Sequence, residues 1–329
     1  MNSGWRLLPR SSGNRTPKVR SSRKKGLIVA EQSAYRIFDV RHVGKQILSP
    51  HMARITFAGE DVAAMATFAP DQRIKLFFPR ADGTLPAIPN RPDWYDLYRA
   101  VPPRERAPMR TYTIRSLRAD QCEVDVDFVL HGDNGPASRW ALNAQPGDRI
   151  QISAPNANYR GEVGGYEWQP PAGVQHVLLL ADETALPAAA GILEELAALK
   201  PRVDAFLEVP DEADRLELPS WDGLDLRWLV REGRSGENRA YGDGMIAAAN
   251  QVELPRDVLS GSDAEALVEP DNDDLLWDRA SSATGGFYAW VAGETGAVSR
   301  IRTALVKERG IDRRLANLMG YWKLGRERE

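Results

Sequence analysis

The sequence predicts two domains in a set order: an antiparallel β-barrel of six strands, then a three-layer α/β domain built on a parallel sheet. Three observations lead there. Residues 34–155 hold short runs that alternate apolar and polar side chains between turn residues. Past Pro170–Pro171 the rhythm changes to continuous apolar runs, each followed by residues at helical spacing. A chain of 329 residues has room for two such units.

The barrel strands are expected at Tyr35–Val43, Met52–Phe57, Arg73–Pro79, Arg110–Leu117, Cys122–His131 and Gly147–Pro155. In the fifth, Val124, Val126, Phe128 and Leu130 face one side while Asp125 and Asp127 face the other. One short helix fits Pro136–Leu142, and Leu85–Pro108 reads as a Pro-rich aromatic loop. In the second domain the run His176–Ala181 has the continuous apolar character of a buried parallel strand. A helix is expected from Thr184 to Leu199, strands at Val203–Val209, Leu224–Val230 and Phe287–Gly293, and a last helix over Ala297–Glu308. Residues 1–33 form a basic arm expected to be disordered, 34–171 the barrel domain and 172–329 the α/β domain. An acidic insertion is expected at about 242–284. Its stretch Asn250–Asp278 carries nine acids and one base, with some helix expected near Leu275–Arg279.

Composition removes several functions. Lys plus Arg is 43 against 46 Asp plus Glu, a net charge of −3, so no nucleic-acid partner is expected. Cys122 stands alone, which excludes an internal disulfide and Cys-based metal clusters and fits a reducing compartment, the cytoplasm. Four scattered histidines make no metal-ligand pattern. No apolar run approaches the roughly 20 residues of a membrane helix. No membrane insertion is expected, and the chain is expected to be a monomer.

Three segments carry chemistry. In "RTYTIR", Arg110 and Tyr112 face one way on a strand and Thr113 and Arg115 the other. At a flavin site this would set an aromatic ring on the isoalloxazine, a hydroxyl on its polar edge and a guanidinium on phosphate; equally, it is an ordinary half-exposed strand. In "HGDNGPASRWA", a strand ends at His131, Gly132 and Gly135 allow tight turns, and Pro136 opens a helix. The N–H groups of Ala137 and Ser138 then make an anion site suited to a pyrophosphate, or simply a capped helix. In "LLLADETALPAA", the loop at the carboxyl end of a parallel strand is where dinucleotides sit, yet Asp182 and Glu183 replace the glycines of GxGxxG. Thr184 fits an N-cap or a phosphate or nicotinamide contact.

Taken together and in order, these segments resemble the siderophore-interacting proteins, a branch of the ferredoxin-reductase-like flavoproteins. The matching stretches are "YRIFDVRHVGKQILSPHMARITFAG", "RIKLFFP", "MRTYTIR", "VDVDFVLHGDNGPASRWA", "PGDRIQISAP", "LLLADETALPA", "AWVAGETGAVSRIR" and "GYWKLGR", which cover most of residues 34–326. The resemblance implies an FAD-binding barrel, an NAD(P)H-binding-like reductase domain and cytoplasmic reduction of ferric siderophores. By position it implies that Arg110, Tyr112, Thr113 and Arg115 form the flavin strand, and that His131, Gly135, Pro136, Ala137 and Ser138 form the FAD-phosphate segment. It also implies that Asp182, Glu183, Thr184 and Glu294 are reductase-domain signatures. In the tail, Tyr321 or Trp322 would cover cofactor, or would pack the last helix on the sheet. Lys75, Arg300 and Arg302 are the cations expected to hold an anionic ferric siderophore, or are solvated surface charges. The electron donor is expected to be NADPH, NADH or reduced ferredoxin. The competing functions are a flavin reductase with another acceptor and a non-catalytic siderophore-binding protein.

Overall fold

The barrel grows out of one long strand. In the computed structural model, which describes residues 33–132, 135–232, 238–258, 275–281 and 286–325, β1 (Tyr35–Ser49) runs well past Val43. Register shifts at His42/Gly44 and Ile47/Ser49 let it bend without losing its partner. A turn at Pro50–His51 returns the chain as β2 (Met52–Ala58). Then follow β3 (Arg73–Phe77), β4 (Met109–Thr113), β5 (Ser116–Arg118), β6 (Glu123–Val129) and β7 (Arg149–Pro155). They form one antiparallel sheet in the order β4-β3-β7-β1-β2-β6-β5.

Seven strands stand where six were expected, because the run Arg110–Leu117 divides at Ile114–Arg115. Before the division it pairs with β3, and after it with β6 at the opposite edge. Ile114 N donates to Gln72 O and Arg115 N donates to Asp125 O, so the chain steps across the seam of a half-closed barrel. Phe38, Ile55, Phe57, Leu76, Val126 and Phe128 fill its interior. The Pro-rich loop contains a short helix, α1 (Trp94–Ala100), whose Tyr98 packs on Phe77 and Ile37 outside the barrel. The helix α2 (Pro136–Asn143) turns Ala137 and Ala141 into the core.

In the second domain β8 (His176–Ala181), β9 (Arg202–Val209), β10 (Leu224–Val230), β11 (Trp277–Asp278), β12 (Phe287–Glu294) and β13 (Ala316–Trp322) form a sheet in the order β10-β9-β8-β12-β13-β11. All are parallel except β11. The helix α3 (Leu186–Leu199) covers one face, while α4 (Asp243–Gln251) and α5 (Thr295–Arg302) cover the other. Two expectations change here. Met245, Ala248 and Ala249 of α4 are buried in the core, so the stretch 242–284 begins as a helix of the fold, and its most acidic part, 259–274, lies outside the described residues. Trp277–Asp278 is strand rather than helix, since it pairs with Met319 and Leu318. Tyr321 and Trp322 end a sheet strand, and Thr295 Oγ1 of α5 donates to Trp322 O. The arm 1–32 also lies outside the described residues.

Charge ties the layers together. Asp125 and Asp127 are buried on the outer face of β6, where two arginines meet them side-on. Arg54 binds Asp127 at 2.7 and 2.9 Å, and Arg118 binds Asp125 at 2.6 and 2.7 Å. Arg115, 3.7 Å from Asp127, also pairs with Glu194 of α3 and so joins the two domains. Asp71, fully buried, accepts from Glu167 N, Trp168 N and Trp290 Nε1, which binds barrel, linker and second sheet. Removing one partner of a buried charge pair leaves the other uncompensated. Asp127→Ala is therefore expected to cost about 3 kcal/mol, read as a lower urea midpoint with an unchanged m-value.

Candidate functional site

The segment that follows β6, at Leu130–Gly132, and the carboxyl ends of the parallel strands line the same region. At the seam, register puts Tyr112 beside Ile74 on the inner face of β4, and Thr113 beside Arg73 on the outer face. The Tyr112 ring lies 4.5 Å from Phe128, across the gap between β4 and β6, and burial pushes its hydroxyl pKa up. Arg110 is half-buried with Nη1 donating to Met109 O, and Thr113 is buried. Arg115 points away from this group, toward Glu194.

Beyond the seam, α2 begins on an extended Gly135 with no side-chain cap, has Pro136 in its first turn and carries no acid there. A Cβ added to Gly135 would meet nothing within 4 Å, so open space lies beside the helix start. Ser138 donates to Val129 O, and Ala137 is buried. A helix start without a side-chain cap, a half-buried guanidinium and an aromatic ring are groups a flavin dinucleotide uses. These residues fit FAD.

The other wall is different in kind. Asp182, at the end of β8 and 1% exposed, accepts from Thr184 N, Thr184 Oγ1, Trp322 Nε1 and Glu294 N at 2.9, 2.5, 2.8 and 2.8 Å. Burial, reinforced by Glu183, pushes its pKa up to about 6. Thr184 is thus held by Asp182 and does not cap α3, whose N-cap is Ala185. Glu294 caps α5 through Ala297 N and accepts from Leu324 N. Glu183 takes a two-point grip from Arg231, at 2.6 and 2.7 Å, and Arg231 also reaches Glu208 at 3.2 Å. The Arg231 guanidinium stacks on Tyr241 at 4.3 Å, and Tyr241 meets Trp322 edge-on at 4.8 Å.

A cleft of about 440 Å³ opens between the walls, lined by His51 and His131 from the barrel and by Glu183, Arg231, Arg239 and Tyr241 from the second domain. Withdrawal from water pushes the His131 pKa down. Arg231 and His51 add to that, and Asp182 opposes it. His51, Arg231 and Tyr241 escaped the sequence reading. Arg231 was findable, since it directly follows a parallel strand at its carboxyl end.

The three expected substrate cations are not brought together. Lys75 lies on the outer face of β3, beside the flavin strand, with Nζ 3.4 Å from Thr111 Oγ1. Arg300 is on α5, paired with Asp243 of α4. Arg302 is 2% exposed and donates to Asp278. It follows Val298 by one helical turn and shares its buried face, so it is not available to a bulky chelate. Among the described residues, no group of three or more His, Cys, Asp or Glu could hold a metal ion, and no helix is long and apolar enough to cross a membrane.

A half-closed antiparallel barrel followed by an α/β domain on a mostly parallel sheet is the ferredoxin-reductase-like architecture. The ferredoxin reductase of carbazole 1,9a-dioxygenase shares this fold at 12% identity, with a TM-score of 0.56 over 88% of this chain and 70% of that one. Residues 41–159 match the siderophore-interacting FAD-binding domain, and residues 174–325 match the siderophore-interacting protein domain. The chain belongs to the siderophore-interacting protein family. A siderophore utilization protein from T. fusca is 31% identical with a TM-score of 0.65, over 90% of this chain and 96% of that one. Ferric vibriobactin reductase ViuB of Vibrio cholerae is 28% identical over 87% of this chain and 89% of its own length. The NADPH-dependent ferric-chelate reductase of Escherichia coli is 30% identical over 69% and 81%.

Asp182 gives the site a pH signature. In the unfolded chain an aspartate ionises near 3.9, whereas the folded protein holds the proton up to about 6. The folded state therefore binds more protons between those values, and Asp182 makes stability fall as pH rises through that window. Urea titrations from pH 4 to 7 are expected to show this slope in the wild type and to lose it in Asp182→Asn. The variant is also less stable at every pH, since an amide cannot accept from all four donors.

Proposed function

We propose that the protein is an FAD-dependent ferric-siderophore reductase that works in the cytoplasm. It would draw electrons from NADPH or NADH and pass them to chelated Fe(III), so that iron leaves as Fe(II). The observation that carries the reading is the facing arrangement itself. His51, Leu130, His131 and Gly132 of the barrel domain lie on one side, and Glu183, Pro210 and Arg231, at the carboxyl ends of β8, β9 and β10, on the other, with the cleft between them. Two relatives of this chain bear the names of ferric-chelate reductases, one of them NADPH-dependent.

Bound FAD supplies the electron relay, taking two electrons together and giving them up singly. The chain's residues bind and orient. Arg110 and the first turn of α2 hold the anionic part of the cofactor, Tyr112 covers its ring, and Thr113 meets the ring's polar edge. Lys75 attracts the anionic chelate to the adjacent strand. Oxygen-rich chelators hold Fe(II) more weakly than Fe(III), so reduction alone loosens the metal, and no protein nucleophile is needed.

A second donor, reduced ferredoxin, is favoured by one observation. The strand-end wall buries Asp182, Glu183, Glu208 and Glu294, with Arg231 already committed to two of them. Such a wall repels the phosphates of a dinucleotide. The remaining alternatives, a flavin reductase with another acceptor and a non-catalytic binder, are separated by experiment.

The purified protein is expected to show an oxidised-flavin spectrum that NADPH or NADH bleaches anaerobically. Ferric siderophore should then restore it as an Fe(II) trap develops colour. Bleaching only by reduced ferredoxin selects the second donor. A protein that FAD cannot reconstitute sinks the enzyme reading. Arg110→Ala with Tyr112→Ala is expected to lose FAD, measured by flavin content after gel filtration. Lys75→Ala should raise KM for an anionic ferric chelate by roughly threefold to tenfold at low salt and much less at high salt.

A further inference from the structure

Asp214 makes the junction between the domains that borders the cleft. It sits in a short 3-10 turn after β9, at Glu212–Asp214, and is 3% exposed. One carboxylate oxygen accepts from Ser49 Oγ at 2.7 Å and from His51 N at 2.9 Å. The other accepts from Asp211 N at 3.1 Å and meets His51 Nδ1 at 2.7 Å. Three of these four donors come from the turn between β1 and β2. Burial acts to raise the Asp214 pKa, yet the hydrogen bonds from Ser49 and His51 outweigh it and hold the group below the usual carboxylate range. A buried, ionised carboxylate needs a counter-charge, and His51 is the titratable ring in direct contact with it. The opposite edge of that ring lines the cleft.

We propose that His51 and Asp214 are positioning residues, a hydrogen-bonded clasp that fixes the end of β9 against the β1–β2 turn and so sets the gap electrons cross from donor to flavin. The inference rests on the reading that electrons enter across this cleft. The charged and titratable groups around the His51 ring are Asp214, Glu183 and His131, with Arg231, Glu232, Arg239 and Tyr241 on the facing wall. Glu183 is already paired with Arg231, and Asp214 is the carboxylate in direct contact with the His51 ring. The other junctions, Arg115 with Glu194 and Asp71 with Trp290, are made elsewhere on the second domain and hold it whether or not the clasp is closed.

Hydrogen–deuterium exchange on the full chain, without donor or acceptor, reads the clasp directly. At one fixed pH, exchange in residues 48–53 and 210–215 is expected to be slow in the wild type, faster in H51Q, which lacks the ring that meets Asp214, and fast in D214N. D214E restores protection that D214A does not. With FAD bound, reduction by NADPH is expected to slow about tenfold or more in D214N, the scale on which misplaced reacting groups act. Reoxidation of dithionite-reduced protein by a ferric chelate stays at the wild-type rate. Unchanged exchange in both variants, or equal slowing of both half-reactions, overturns the proposal, and so does a wild-type flavin that NADPH never reduces. Failure of the ferric chelate to reoxidise the reduced protein instead defeats the reductase reading and leaves the exchange result standing. Should D214N not fold, H51Q carries the same test, since its ring is half exposed.

Discussion

At the end of β8 a carboxylate, Asp182, stands where nucleotide-binding sheets of this kind place glycine, and much of the second domain is arranged to keep it there. The group is buried beside a second acid, Glu183. Burial alone would favour its neutral form, and the donors around it oppose that tendency. Those four donors come from three places: Thr184 in the turn before α3, through its N–H and hydroxyl, the backbone of β12 at Glu294, and the indole at the end of β13. A Cβ on Gly293 would stand 2.7 Å from Asp182 Oδ2, so β12 needs glycine where it passes the carboxylate. Accepting from Trp322 also fixes the tail of the chain on the sheet, which is why the tail is strand.

The acid next door imposes a further chain of requirements. Glu183 is 2% exposed and needs a cation, which Arg231 supplies from the end of β10. That guanidinium is itself buried, and Glu208 and the face of Tyr241 complete its surroundings. Tyr241 in turn rests on Trp322, which returns to Asp182. Gly242, next to Tyr241, has φ +77°, and a Cβ there would lie 2.1 Å from that of Ala297, so the approach to α4 requires glycine. The strand-end wall is thus a closed ring of polar contacts, whereas the start of α2 is left uncapped. The two walls of the cleft differ in what they ask of a ligand. The start of α2 carries no acid in its first turn, whereas Arg231 on the sheet wall is already paired with two acids.

Local patterns were readable where burial is a local matter. The run His176–Ala181 is apolar because both faces of β8 are covered, and its limits match the strand. The alternation around Asp125 and Asp127 was also legible, though not the arginines that bury both acids. The splitting of Arg110–Leu117 was hidden because alternation does not reveal a change of partner. The aromatic tail was ambiguous because such a pair suits either a cofactor cover or the packing of the last helix on the sheet. The partner of Arg302 was hidden, since Asp278 lies in a segment read as insertion.

What lay furthest from the sequence is the relation between the domains. His51 and Asp214 are 163 positions apart, and Arg115 and Glu194 are 79 apart. Neither pair has a spacing that any periodicity could expose, because each depends on how two independently patterned cores meet. Yet that meeting decides what the site can do. The barrel and the second sheet meet through a few side chains, so the relation between them is governed by that junction. Arg115 shows the consequence. Its place in "RTYTIR" suits cofactor phosphate, but the bend at Ile114 turns it out of the seam and onto α3. Arg115 is spent on holding the second domain against the barrel, so the same motif that carries the proposed cofactor residues also supplies an anchor between the domains.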